Sequence, residues 1–146
     1  MEGLRGLSRV HFVGQVEEVE NETSKIRIFP EYAKGLLKIE DFSHIIVLYW
    51  LHLRDNEKDR SVLRVIPRMH EGAPEVGVFS SRSPSRPNPI GLCVVKLIRI
   101  EKNILTVEGL DALPGSPIVD VKPYLPRADM IADAKAPQWT ERGPPT

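Results

Sequence analysis

The sequence predicts a mainly β, single-domain protein, a small barrel of about six or seven mostly antiparallel strands with one short helix. Three observations lead there. At 146 residues the chain has the size of one domain, able to bury about two-thirds of the surface its unfolded form exposes. Thirteen prolines and ten glycines are spread along it, and an interior proline costs a helix about 3 kcal/mol, so long helices are interrupted before they form. Segments rich in β-branched residues recur between turn formers instead. With 41% hydrophobic and 27% charged residues the composition is globular, which excludes disorder, collagen and coiled coil.

The elements follow in order. Val10 to Val19 and Lys25 to Phe29 read as a first hairpin, turning through Asn21 to Ser24. Pro30 suits a helix start, and Glu31 to Leu37 supplies the one short helix, with an early carboxylate near its positive end. Ser43 to Leu53 (SHIIVLYWLHL) is apolar on alternate and intervening positions alike, which predicts a central strand buried on both faces. Period two places His44, Ile46, Leu48, Trp50 and His52 on one side and Ile45, Val47, Tyr49, Leu51 and Leu53 on the other. Asn56 to Arg60 is a charged loop, Val62 to Ile66 a strand that Pro67 ends, and Arg68 to Pro89 a long loop of the kind that carries function. Gly91 to Glu101 and Ile104 to Leu110 form a hairpin at Lys102-Asn103, where asparagine tolerates the left-handed conformation. Ile118 to Val121 is a last strand after the Pro114-Gly115 turn. The domain is thus expected over 1–131, with a proline-containing tail over 132–146 that docks loosely, through Trp139, or frays.

Twenty basic and twenty acidic residues cancel, so binding to a polyanion through bulk charge is unsupported and any nucleic-acid contact must be local. Such a local excess exists. Arg60 to Arg99 holds seven basic and two acidic residues. The single cysteine, Cys93, forms no internal disulfide, and the opening MEGLRGLSRVHF lacks the apolar run of a secretory leader, so a reducing cytoplasm is expected. The longest apolar run, IIVLYWL, is far short of the roughly 20 residues that span a bilayer, so no membrane insertion is expected.

Chemistry concentrates in Gly77 to Gly91 (GVFSSRSPSRPNPIG), where Pro84, Pro87 and Pro89 pre-shape a loop bearing Arg82 and Arg86. Its serines and Asn88 add hydrogen bonds, so an anionic ligand is one reading; the plain alternative is a barrel-closing loop whose arginines pair with nearby carboxylates. His52, sharing a side with Trp50, suits a purine near a barrel mouth, or is a histidine satisfied by backbone. His44 and His52 are too far apart along a strand to share one ion, and no metal site is expected. Glu108, Asp111 and Asp120 flank the late strands, where a carboxylate binds a cation, takes a proton, or merely forms a turn. Cys93 reads as a buried, inert thiol. Neither GxxxxGK[ST] nor GxGxxG after a strand occurs, so a nucleotide cofactor must bind in another way.

Taken together, YAKGLLKIEDFSHIIVLYWLH, GVFSSRSPSRPNPIGLCVVKL and VEGLDALPGSPIVDVKPYLP resemble the TsaA-like (TrmO) family of tRNA N6-threonylcarbamoyladenosine methyltransferases, over about Val10 to Pro126. Members carry a GVFATRSPxRPNPIG-like loop and a GLDxxxGTPVxDIKPY-like strand pair. The resemblance implies a β-barrel, S-adenosylmethionine (SAM)-dependent enzyme, usually a homodimer, acting on tRNA without a metal. Its cofactor contacts carry over to His52, Leu53, Arg82, Leu92, Glu108, Gly109, Leu110 and Asp111. His52 and Asp111 are then the candidate catalytic bases, and Arg64, Arg68 and Arg86 the candidates for tRNA phosphates or the threonyl carboxylate. Two features depart from the family pattern: the early PRQPG-like segment of bacterial members is missing, and so is the C-terminal domain many of them carry. Besides the tRNA methyltransferase, a non-catalytic SAM- or RNA-binding module and a methyltransferase with another substrate remain open.

Overall fold

The computed structural model describes residues 6–145. The first five residues of the expected domain, which begin the stretch read for a leader, lie outside the described residues, as does the last residue of the tail. Six strands close a barrel in the order β1-β2-β7-β6-β3-β8. They are β1 (Gly14–Glu20), β2 (Thr23–Ile28), β3 (His44–Trp50), β6 (Ile90–Glu101), β7 (Ile104–Glu108) and β8 (Pro117–Pro123), all paired antiparallel. Two short strands, β4 (Arg64–Val65) and β5 (Val76–Gly77), pair with each other outside it.

Every barrel strand sends residues inward: Val16, Ile26, Ile28, Ile45, Val47, Val95, Leu105, Val107 and Ile118 are buried and pack into one core. The interior is therefore filled, and a ligand must bind at the rim or outside. The predicted β6–β7 hairpin is present, but Lys102, with φ of 58°, takes the left-handed position. Asn103 staples the turn instead, its side-chain Nδ2 donating to the Ile28 carbonyl at 2.6 Å. β6 is long enough to pair with β3 at its start and β7 at its end, with a register shift between Leu97 and Arg99 that lets it bend around the barrel.

Four expectations need correction. β3 is buried on one face only: Ile45 and Val47 are fully enclosed, whereas Ile46, Leu48 and Trp50 on the other face are half-buried. The short helix is a 3-10 helix over Pro30–Leu36, and the Asn56 to Arg60 loop is one turn of α-helix, α1 (Glu57–Arg60), begun by Asn56 accepting from the Asp59 amide at 2.8 Å. Val62 to Ile66 contributes only the two residues of β4. A second single turn, α2 (Pro126–Asp129), follows β8. The tail docks: the ring Nδ1 of buried His70 donates to the Arg142 carbonyl, and its ring meets Trp139 edge-on at 5.6 Å.

Candidate functional site

The long loop folds back over the end of the barrel where β3 leaves and β6 enters, and a cleft of about 550 Å³ opens between them. Its walls include Tyr49, Leu51, Arg82, Leu92, Cys93 and Asp111. Tyr49 fixes the floor. Its ring lies at register opposite Gly91, and a Cβ on Gly91 would come within 2.5 Å of the ring, so only glycine lets the aromatic ring lie flat against β6. The phenol donates to the Asp111 carbonyl at 2.5 Å, the Asp111 amide donates to Cys93 Sγ at 3.4 Å, and Cys93 Sγ donates to Tyr49 Oη at 4.0 Å. This triangle holds the chain after β7 against the barrel and leaves the Asp111 carboxylate exposed. Burial, then the neighbouring Cys93 and Asp111, push the phenol of Tyr49 well above its ordinary pKa, so it stays a neutral donor.

The loop itself is held from within and from below. Arg86 spends one guanidinium nitrogen on the carbonyls of Ser81 at 3.0 Å and Ser83 at 3.1 Å. Ser85 Oγ donates to Asp59 at 2.6 Å, and Arg54 reaches both Ser85 Oγ and Asp59 at 3.3 Å. Arg60 pairs with Asp55 at 2.8 Å, Arg64 with Glu75 at 3.6 Å, and Arg99 with Glu101 at 2.8 Å. The local excess of positive charge thus resolves into four committed arginines, Lys96 and two further arginines. Arg68 and Arg82 are exposed and have no hydrogen bond or ion pair among the described residues.

The structure brings Arg82, Arg86, Leu92 and Asp111 onto one wall system, but not the remaining sequence candidates. β3 stops at Trp50, and residues 52–54 turn as a 3-10 helix, so His52 and Leu53 do not continue the strand and lie off the cleft lining. Trp50 is not on the cleft lining; its ring meets Phe12 at 5.6 Å and lies under Arg60. Glu108 and Gly109 are exposed and Leu110 is buried, and together they lead into Asp111 without lining the cleft. Arg64 is engaged with Glu75, while Arg68 lines a neighbouring cavity of about 640 Å³ together with Phe79, Arg82 and Trp139. Tyr49 is not singled out by the sequence, and Cys93, expected to be a buried, inert thiol, is instead half-buried and lines the cleft. Their signal was the glycine of the PNPIG segment inside a strand, which marks a place where something large approaches the backbone. His44, read as structural, bonds Ser43 Oγ at 2.8 Å. Among the described residues no three His, Cys, Asp or Glu side chains converge as a metal site.

The family of tRNA-methyltransferase O N-terminal domains matches residues 9–130. This chain belongs to that family. An S-adenosyl-L-methionine-binding protein of Archaeoglobus fulgidus is 51% identical over 115 residues, covering 79% of this chain and 78% of the relative. The human tRNA (adenine(37)-N6)-methyltransferase is 36% identical over 111 residues, 76% of this chain but 24% of the relative. Among solved structures, TrmO from Pseudomonas aeruginosa superposes with a TM-score of 0.70 at 26% identity, covering 91% of this chain and 62% of that one. The family match ends at residue 130, so the docked tail lies beyond it.

Proposed function

We propose that this chain is a SAM-dependent tRNA methyltransferase, and that its acceptor is N6 of threonylcarbamoyladenosine beside the anticodon. Family membership and the names of its relatives support the methyltransferase class. The observation that carries the assignment of the cofactor site is the cleft itself, which sets an uncommitted guanidinium, Arg82, among apolar walls that also hold an exposed carboxylate, Asp111. Its volume lies in the range of small-molecule sites. SAM has matching parts: a carboxylate for Arg82, an adenine for the apolar surface of Leu51 and Leu92, and positive charge for Asp111.

In the transfer, the bond from sulfur to the methyl carbon breaks as a bond from that carbon to N6 forms. The sulfonium becomes a neutral thioether, and the N6 proton leaves. The N6 lone pair is delocalised into the carbamoyl group, so removing that proton raises its nucleophilicity. Asp111 is the carboxylate on the cleft wall and is assigned the proton; His52, off the lining, is not. No metal is needed, and positioning with electrostatics supplies most of the rate.

A second copy of the chain completes the site in this reading. On the outer face of the barrel Ile46 sits opposite Val94, Leu48 opposite Leu92, and Trp50 opposite Ile90. Leu92 and Val94 are each 46% exposed, and Ile90 and Leu92 also border the cleft, so a homodimer burying this face places the cofactor at its seam. The setting is the cytoplasm, where the one cysteine stays a thiol.

Titration of SAM into the protein by calorimetry, followed by turnover on anticodon stem-loops with and without the threonylcarbamoyl group, tests the reading. Saturable binding with methylation of the modified RNA alone is expected. Arg82→Ala should weaken SAM by about tenfold or more, the weight of a charged hydrogen bond, without changing the melting temperature. Binding without turnover would leave a SAM-binding module, and unchanged affinity in Arg82→Ala would remove that residue from the site.

A further inference from the structure

One wall of the larger cavity is built by a part of the chain that lies outside the family match. Tail residues Ala136, Trp139, Thr140 and Pro145 form one wall, and the segment Val65 to His70 together with Phe79 to Pro84 forms the other. The tail is seated by specific contacts. His70 donates to the Arg142 carbonyl, Arg142 reaches back to the Glu71 carbonyl at 3.2 Å, and Thr140 Oγ1 closes a turn on the Pro137 carbonyl at 2.6 Å. Gly143 has φ of 89°, and any Cβ there would collide with the Met69 carbonyl, so the chain passes where only glycine fits.

What this wall encloses has a definite chemistry. Phe79 is 82% exposed and Trp139 half-buried, so two aromatic rings border a space of about 640 Å³, enough for a nucleoside. Arg68 and Arg82, the two arginines in the Arg60 to Arg99 stretch that have no partner among the described residues, both lie on its lining. Met69, Phe79, Ser81, Arg82 and Pro84 line this cavity and the cofactor cleft alike, so the two spaces adjoin across that wall.

We infer that the C-terminal tail builds the acceptor pocket, in which the target adenosine of the RNA stacks on Trp139 and Phe79 and the carboxylate on its N6 substituent meets Arg68. This rests on the reading of the smaller cleft as the SAM site. Single-stranded bases are held in this way, splayed out on aromatic rings with a cation near their anionic groups. The tail therefore supplies substrate contacts that the barrel lacks.

The test measures binding of an anticodon stem-loop carrying threonylcarbamoyladenosine, by fluorescence anisotropy with S-adenosylhomocysteine present, alongside calorimetric SAM affinity. Trp139→Ala should weaken the RNA about five- to a hundredfold, the span of base stacking on an aromatic ring, and leave SAM affinity unchanged. Trp139→Phe should restore binding, which separates stacking from damage to the tail. Arg68→Ala should weaken the modified RNA and leave the same stem-loop with plain adenosine unaffected. RNA affinity unchanged in Trp139→Ala would overturn the pocket, as would a loss of SAM affinity in that variant or no binding of either RNA by the wild-type protein. Binding with these variant effects but no methyl transfer would instead overturn the reaction and keep the pocket.

Discussion

Tyr49 joins three parts of the chain through one side chain. Its position on β3 faces it inward, its register partner Gly91 leaves room for the ring, and its hydroxyl ties down the Asp111 backbone. Gly91→Ala should therefore displace the ring, break the bond to Asp111 and cost about 1–3 kcal/mol, as inserting an extra methyl into packed surroundings does. Urea unfolding checks this, and a variant as stable as wild type would show that the ring has room to move. Tyr49→Phe keeps the packing and loses one hydrogen bond, so it should cost less, about 0.5–1.5 kcal/mol, and should lower SAM affinity by loosening Asp111. The difference between the two variants separates crowding from hydrogen bonding.

At the scale of elements, the loop over residues 82–89 and the single turn of α1 behave as one unit. The prolines limit the loop's freedom, the amides of Ser83 and Ser85 donate to Ser81 Oγ and Ser83 Oγ at 3.3 Å, and Asp59 on α1 anchors it through Ser85. The Ser85 hydroxyl, then the Asn56 amide, hold the Asp59 carboxyl below its ordinary range. A pKa depressed on folding gives stability that is present above the unfolded value, about 3.9, and lost as the pH falls through the folded value. The tether should thus be intact from neutrality to about pH 4 and release below it. Amide chemical shifts of Ser83 and Ser85, followed by acid titration, would report this. Asp59→Asn should flatten the response, and an unaltered titration in that variant would show the loop to be anchored elsewhere.

For the whole molecule, the proposed homodimer would use the outer face of β3 and β6 as its seam. Its apolar pairs Ile46–Val94 and Leu48–Leu92 are half-buried or exposed, whereas Glu18 and Lys25 pair as charges between β1 and β2. Light scattering should give a dimer for the wild-type chain. Val94→Glu, which places a charge at the middle of that face and away from the cleft lining, should give a folded monomer with weaker SAM binding. A monomeric wild type with full SAM affinity would confine the site to one chain.

Local signals in the sequence carried most of the strands and the proline-rich loop. Alternation in the segments that became β1, β2, β6 and β7, turn formers between them, and the prolines and arginines of Gly77 to Gly91 act over a few residues, so the chain states them directly. The family motifs added Arg82, Leu92 and Asp111, which the fold brings to one cleft although they lie far apart in sequence. Tertiary structure decided the rest. Whether Ser43 to Leu53 is covered on one face or two depends on what packs against it, and its apolar composition is the same in both cases. Which arginines stay uncommitted depends on where carboxylates fall in space: Glu75 reaches Arg64 across the β4–β5 pair, and no carboxylate among the described residues reaches Arg68. The same holds for the tail, which by sequence either docks loosely through Trp139 or frays: His70, distant in sequence, supplies the donor and the ring that fasten Arg142 and Trp139. Periodicity and turn chemistry are properties of neighbours along the chain, whereas burial, charge pairing and docking belong to neighbours in space, and those exist only once the barrel has closed.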